Sequence, residues 1–114
     1  MKQEAFTMSL LFDTYGALLT EKQQTYFDLY YNQDLSLAEI AEQEGISRQG
    51  VHDAISRSEA LLASFERVTG CIARDRRTAK ALEAIADACE RLQSIPEARE
   101  AAQNILLASA SIKE

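Results

Sequence analysis

At 114 residues, with 46% hydrophobic and 26% charged side chains, the chain suits one globular domain or a small domain with an appendage, and not a disordered tail. Its net charge of −6 departs from the basic surplus that dedicated DNA-binding domains carry. No apolar run approaches the roughly 20 residues a bilayer span requires, and residues 1–4 lack the pattern of a secretory leader, so neither membrane insertion nor export is expected and cytoplasmic residence is the default.

Every strong local signal is helical. Met8, Leu11, Phe12 and Tyr15 recur at helical spacing, and Gly16 is placed to close that segment in a left-handed conformation. Thr20 and Gln23 form a capping box opening a second helix, with Tyr26, Phe27 and Tyr30 on its apolar face. The helical spacing of Phe12, Tyr15, Tyr26, Phe27, Tyr30 and Tyr31 predicts core packing and not a base-stacking platform, with Tyr31 the best placed to be exposed. A polar turn follows at 32–34.

Residues 36–57 carry the spacing of a helix-turn-helix. Ser36 and Glu39 form a second capping box, and Leu37, Ile40 and the small Ala41 line one face of a first helix. Gly45 supplies the positive φ of a tight turn, and Ile46 plugs it. Ser47 caps a second helix whose inner face is Val51, Ala54 and Ile55, and which runs on through Leu61, Leu62 and Phe65. Gly50 in that helix costs about 0.5–1 kcal/mol relative to alanine, as a loose spot or a place where a partner nears the backbone. Its outward positions are Arg48, Gln49, His52, Asp53 and Ser56, the set a groove-reading helix presents.

Residues 69–70 mark a break or kink. Beyond it, Cys71, Leu82, Ile85, Cys89 and Leu92 keep a three-four spacing along an alanine-rich stretch. Ser94 and Glu97 make a third capping box with Pro96 in the first turn, and a last helix follows with Ala98, Ala101, Ala102, Ile105 and Ile112 inward. No alternating β-branched run or hairpin signal is present. The expected architecture is all-α: a helix-turn-helix domain over residues 1–66 and a helical hairpin extension over 67–114, which folds back on the motif or pairs with a second chain. Its alanine ridges permit a homodimer.

Residues 1–65 hold ten acids and four bases, residues 66–80 two acids and five bases, and residues 81–114 six acids and three bases, giving −6, +3 and −3. Positive charge is thus gathered just past the motif. Arg48 and Gln49 suit base edges or phosphates and Arg57 suits phosphate, while Asp53 on the same face opposes it. On a continuous helix Arg67, Arg74 and Arg77 fall on one side, a set able to track an RNA backbone, with Arg76 and Lys80 pointing elsewhere. The plainer reading is a solvated flank that pairs with Glu66, Asp75 and Glu83.

Catalysis, cofactors and metals find no support. His52 and Asp53 are neighbours on a helix and point about 100° apart, so neither is expected to orient the other as in a base–carboxylate relay. There is no phosphate-cradling glycine loop. Cys71 and Cys89 on one helix would be roughly 27 Å apart, too far for a disulfide. With His52 as the one histidine, no ligand set for a metal can be assembled.

The ordered series Leu11-Phe-Asp-Thr-Tyr-Gly-Ala-Leu-Leu-Thr-Glu-Lys-Gln23, Leu29-Tyr-Tyr31, Asp34-Leu-Ser-Leu37, Glu39-Ile-Ala41 and Ile46-Ser-Arg-Gln49 resembles the YlxM family of small bacterial proteins, whose helix-turn-helix is similar to region four of the sigma factors. The resemblance covers about residues 8–66. It implies a sigma-region-four-like domain and a non-enzymatic accessory or regulatory role with the signal recognition particle, binding its RNA, its GTPase subunit or both. Gly50 stands where that family tends to have alanine, and Glu44 where many helix-turn-helix proteins place an apolar residue. Two alternatives stay open: a DNA-binding transcriptional regulator using the same helix, and a pure protein-interaction module.

Overall fold

The computed structural model describes residues 4–112; residues 1–3, which bear on the leader reading above, lie outside them. Among the described residues the fold is all-α, with six α-helices and two short 3-10 turns. The helices are α1 (Ala5–Tyr15), α2 (Glu21–Tyr31), α3 (Leu37–Glu44), α4 (Arg48–Thr69), α5 (Cys71–Leu92) and α6 (Arg99–Ile112). They form two compact units, Met1–Gly70 and Cys71–Glu114. The division falls at Gly70 because α4 continues to Thr69, where Gly70 ends it at φ +63°.

The first unit packs α1, α2 and α3 on α4. Tyr26, Leu29, Ile40, Val51 and Ile55 form one buried cluster, with Leu37, Ala41 and Ala54 partly buried against it. Phe27 is fully buried, stacked between Phe12 at 4.6 Å and Tyr31 at 4.5 Å. The expectation of an exposed Tyr31 is corrected here. Its ring lies on Phe27 and edge-on to Tyr30, and its hydroxyl donates to Glu59. A tyrosine can bury its ring and still hand its hydroxyl to a polar partner at the rim.

Both capping boxes of this unit are formed. Thr20 and Gln23 exchange bonds of 3.2 and 2.9 Å, and Ser36 and Glu39 bonds of 3.1 and 2.9 Å. The start of α1 has a cap the sequence reading missed: the Glu4 carboxylate accepts from the Phe6 and Thr7 amides. Gly16 does not adopt the expected left-handed conformation. It sits at φ −55°, leading into a 3-10 turn, and a Cβ there would meet the Phe12 ring at 3.1 Å. The position needs a small residue for space, not for φ.

The second unit is an antiparallel hairpin of α5 and α6 in which Leu82, Cys89 and Ala102 are buried. Cys71 and Cys89 lie on α5 as expected, about 27 Å apart along its axis. The Ser94 capping box does not form. Ser94 Oγ donates back to the Arg91 carbonyl at 3.0 Å, closing α5, and Ile95 precedes a 3-10 turn at Pro96–Ala98 that has no side-chain cap. The inward face of α6 also differs. Ala102 is buried and Ala98, Leu106 and Ser109 are half-buried, whereas Ala101 is exposed and Ile105 and Ile112 are 45% and 62% exposed.

Candidate nucleic-acid interface

The helix-turn-helix is built from short-range chemistry. Gly45 holds φ +70° and returns its amide to the Ala41 carbonyl at 3.0 Å, reversing the chain within one residue. Ile46 covers this turn only in part, at 37% exposure, so it is a rim residue and not the expected plug. Ser47 Oγ then accepts the Gly50 amide at 2.9 Å and starts α4.

That cap explains Gly50 without a partner or a loose helix. A Cβ there would lie 3.1 Å from Ser47 Oγ and 3.7 Å from Ile46 Cδ1. Alanine would improve helix propensity by about 1 kcal/mol while pressing on a cap of about the same worth. Gly50→Ala is expected to change unfolding stability by less than about 1 kcal/mol, read from urea melts; a gain well above that would mean the serine moves aside without loss.

The buried face of α4 is Val51, Ile55, Ser58 and Leu62, with Ser58 Oγ satisfied by the Ala54 carbonyl at 2.9 Å. Arg48, Gln49, His52, Asp53, Ser56, Arg57 and Arg67 are all exposed. Arg48, Gln49 and His52, with Leu37 of α3, line an open cleft of about 370 Å³. Among the described residues no carboxylate stands within ion-pair distance of Arg48, Arg57 or Arg67.

Asp53 is the correction on this face. Gln49 Nε2 donates to its Oδ1 at 2.9 Å, and His52 Nδ1 lies 3.3 Å from the same oxygen. The two neighbours expected to diverge do meet, because both half-exposed side chains can lean along the helix surface. The Gln49 bond first, then the His52 bond, hold the Asp53 carboxyl below its ordinary value, with a smaller pull from Arg57. Asp53 therefore keeps its negative charge near the centre of the outward face. It also occupies one of the amide protons Gln49 would offer a base.

Arg74 and Arg77 belong to the second unit. Because Gly70 ends α4, the helical reckoning that aligned Arg67 with them does not carry across, and the seven expected site residues divide as five on α4 and two on α5. Both are exposed, like Arg76 and Lys80, and Arg74 Nη2 points at Cys71 Sγ at 3.4 Å. By unit, Met1–Gly70 holds eleven acids and five bases, a balance of −6, while Cys71–Glu114 holds seven of each.

Two capped helices joined by a left-handed glycine, the second presenting a polar outer face, define a helix-turn-helix protein. Comparison with known proteins agrees: residues 2–102 match the model of UPF0122, the helix-turn-helix proteins described as YlxM / p13 like, and the chain belongs to this family. A UPF0122 protein of Desulforamulus reducens is 40% identical over 106 residues, covering 91% of each chain. One of Symbiobacterium thermophilum is 48% identical over 84 residues, 74% of this chain and 78% of its own. One of Clostridium kluyveri is 58% identical over 64 residues, 56% and 58% of the two chains. Among the described residues no helix is long and apolar enough to cross a membrane.

Proposed function

We propose that this chain is a non-enzymatic, cytoplasmic accessory or regulatory factor of the signal recognition particle pathway, binding the particle's RNA, its GTPase subunit or both. Two sets of residues are assigned to binding, each within its own unit: Arg48, Gln49, His52, Arg57 and Arg67 of α4, and Arg74 and Arg77 of α5. Membership of a helix-turn-helix family supports nucleic-acid binding as the class. The family resemblance carried by the ordered motifs over residues 8–66 implies a role with the particle.

The observation that carries the reading is where the exposed charge lies. Residues 36–57, the helix-turn-helix itself, hold four acids and two bases, whereas residues 71–80 hold four bases and one acid. A polyanion is therefore drawn to the first turns of α5 at least as strongly as to the motif. That favours an RNA backbone over a groove-reading mode, in which Asp53 would face the phosphates or bases of a duplex. A DNA-binding regulator is the second reading, favoured by the exposed start of α4 and its cleft beside Leu37.

A tagged copy purified from its native cell, with and without nuclease, tests the assignment. The particle's RNA or GTPase is expected in the untreated material, the RNA-dependent part vanishing with RNase. Preferred retention of a duplex with two half-sites about one helical turn apart would instead establish the regulator. Partners that survive nuclease and include neither particle component would leave a protein-interaction module.

A further inference from the structure

The second unit leaves more apolar surface open than a finished hairpin should. Residues 101–112, nearly all of α6, contain no charged side chain. Yet only Ala102 of them is buried, and Ile105 and Ile112 are 45% and 62% exposed.

Apart from Ile95 in the turn and Leu107 on the far side of α6, 45% and 69% exposed, the open large apolar residues are ordered. On α5, Leu82 and Cys89 are buried, and three residues after each come Ile85 and Leu92, 38% and 36% exposed. On α6, Ala102 is buried and Ser109 half-buried, and three residues after each come Ile105 and Ile112. Each helix thus carries two rows of seven-residue period, one used within the hairpin and one open. The open row lies about 60° around the helix from the covered one, in the same sense on both. Because the helices are antiparallel, both open rows come to the same side of the hairpin. This is the a/d pattern of a four-helix bundle of which two helices are present.

The flanks say what the missing layer is. Beside the open row of α5 stand Ala81 and Ala88, and beside its covered row Ala79 and Ala86, while Lys80, Glu83, Asp87, Glu90 and Arg91 lie on the opposite side of the helix. An uncharged face offers nothing to a polyanion or to a charged partner, and matches an equally uncharged face. Among its described residues the first unit of the same chain presents no such stripe: the exposed large apolar residues Phe6, Leu18, Ile46 and Val68 fall on four separate elements. We infer that the open face of the α5–α6 hairpin docks on the same face of a second copy of this chain, closing a two-fold four-helix bundle through Ile85, Leu92, Ile105 and Ile112.

The full chain is tested by sedimentation equilibrium across a concentration series, with helicity followed by circular dichroism. The native chain is expected at the mass of two copies. Ile85→Lys with Ile105→Lys, both at exposed positions, is expected to keep helicity and raise the dimer dissociation constant at least about 100-fold, since each dimer would bury four unpaired ammonium groups. Phe6→Lys with Val68→Lys, on the first unit, is expected to leave the dimer intact. A native chain that stays monomeric at all concentrations overturns the proposal whatever the variants do. So does a dimer that survives the hairpin changes or is lost to the Phe6 and Val68 changes.

Discussion

Phe27→Ala is expected to destabilise the first unit by about 3–5 kcal/mol, the range for removing a fully buried phenyl ring. The ring has no solvent exposure and is sandwiched between Phe12 and Tyr31, with interplanar angles of 14° and 24°. Its loss removes burial and two stacking partners at once, and leaves a cavity between helices that are held on α4 by other contacts and cannot fully collapse. Small domains have total stabilities of about 5–15 kcal/mol, and a unit ending at Gly70 falls toward the lower end, so the variant retains little of its margin. Urea melts followed by far-ultraviolet circular dichroism measure this directly. A loss under about 1 kcal/mol would show that the stack is not the centre of the core.

Arg74→Glu with Arg77→Glu is expected to have the largest effect on RNA retention. Residues 71–80 go from a balance of +3 to −1, so the segment turns from attracting phosphate to repelling it. Fold effects are small by construction. Both residues are exposed, Arg and Glu have similar helix propensities, and added acids near a helix N-terminus complement its dipole. Affinity for the particle's RNA is expected to fall by about 10–100-fold near 0.1 M salt, and the slope of log affinity against log salt to flatten by about 1.4–1.8, two phosphate contacts' worth. Unchanged retention with intact helicity would remove this surface from the interface and leave the α4 residues as the RNA contact.

The elements with strong chemical punctuation were readable from the sequence. Thr20 with Gln23, Ser36 with Glu39, Ser47, Gly45 and Gly70 each do what their residue types dictate, because a cap or a left-handed turn is decided within four residues. The misreadings share a different physics. Ser94 turns its hydroxyl back to the carbonyl behind it, and the chain ahead enters a 3-10 turn that carries no side-chain cap. The face of α6 could not be phased, since a stretch without charges offers no contrast between inside and outside. Gly16 looked like a helix terminator because glycine is usually selected for φ, and here it is selected for the space beneath Phe12. Of the candidate site, the residue types and their exposure were legible. The capture of Gln49 and His52 by Asp53 was not, since side-chain reach can bridge positions that helical angles alone set apart.

The length of α4 bears on how that face meets a partner. The helix spans 22 residues, about 33 Å, and is anchored well past the motif. Tyr31 grips it at Glu59, and Tyr15 bonds to Glu66 at 2.5 Å and to Thr69 at 2.6 Å. A ligand pulling on Arg48 or Arg57 acts on a rod already clamped toward its far end, so docking requires no reorganisation of the helix and forfeits little conformational freedom.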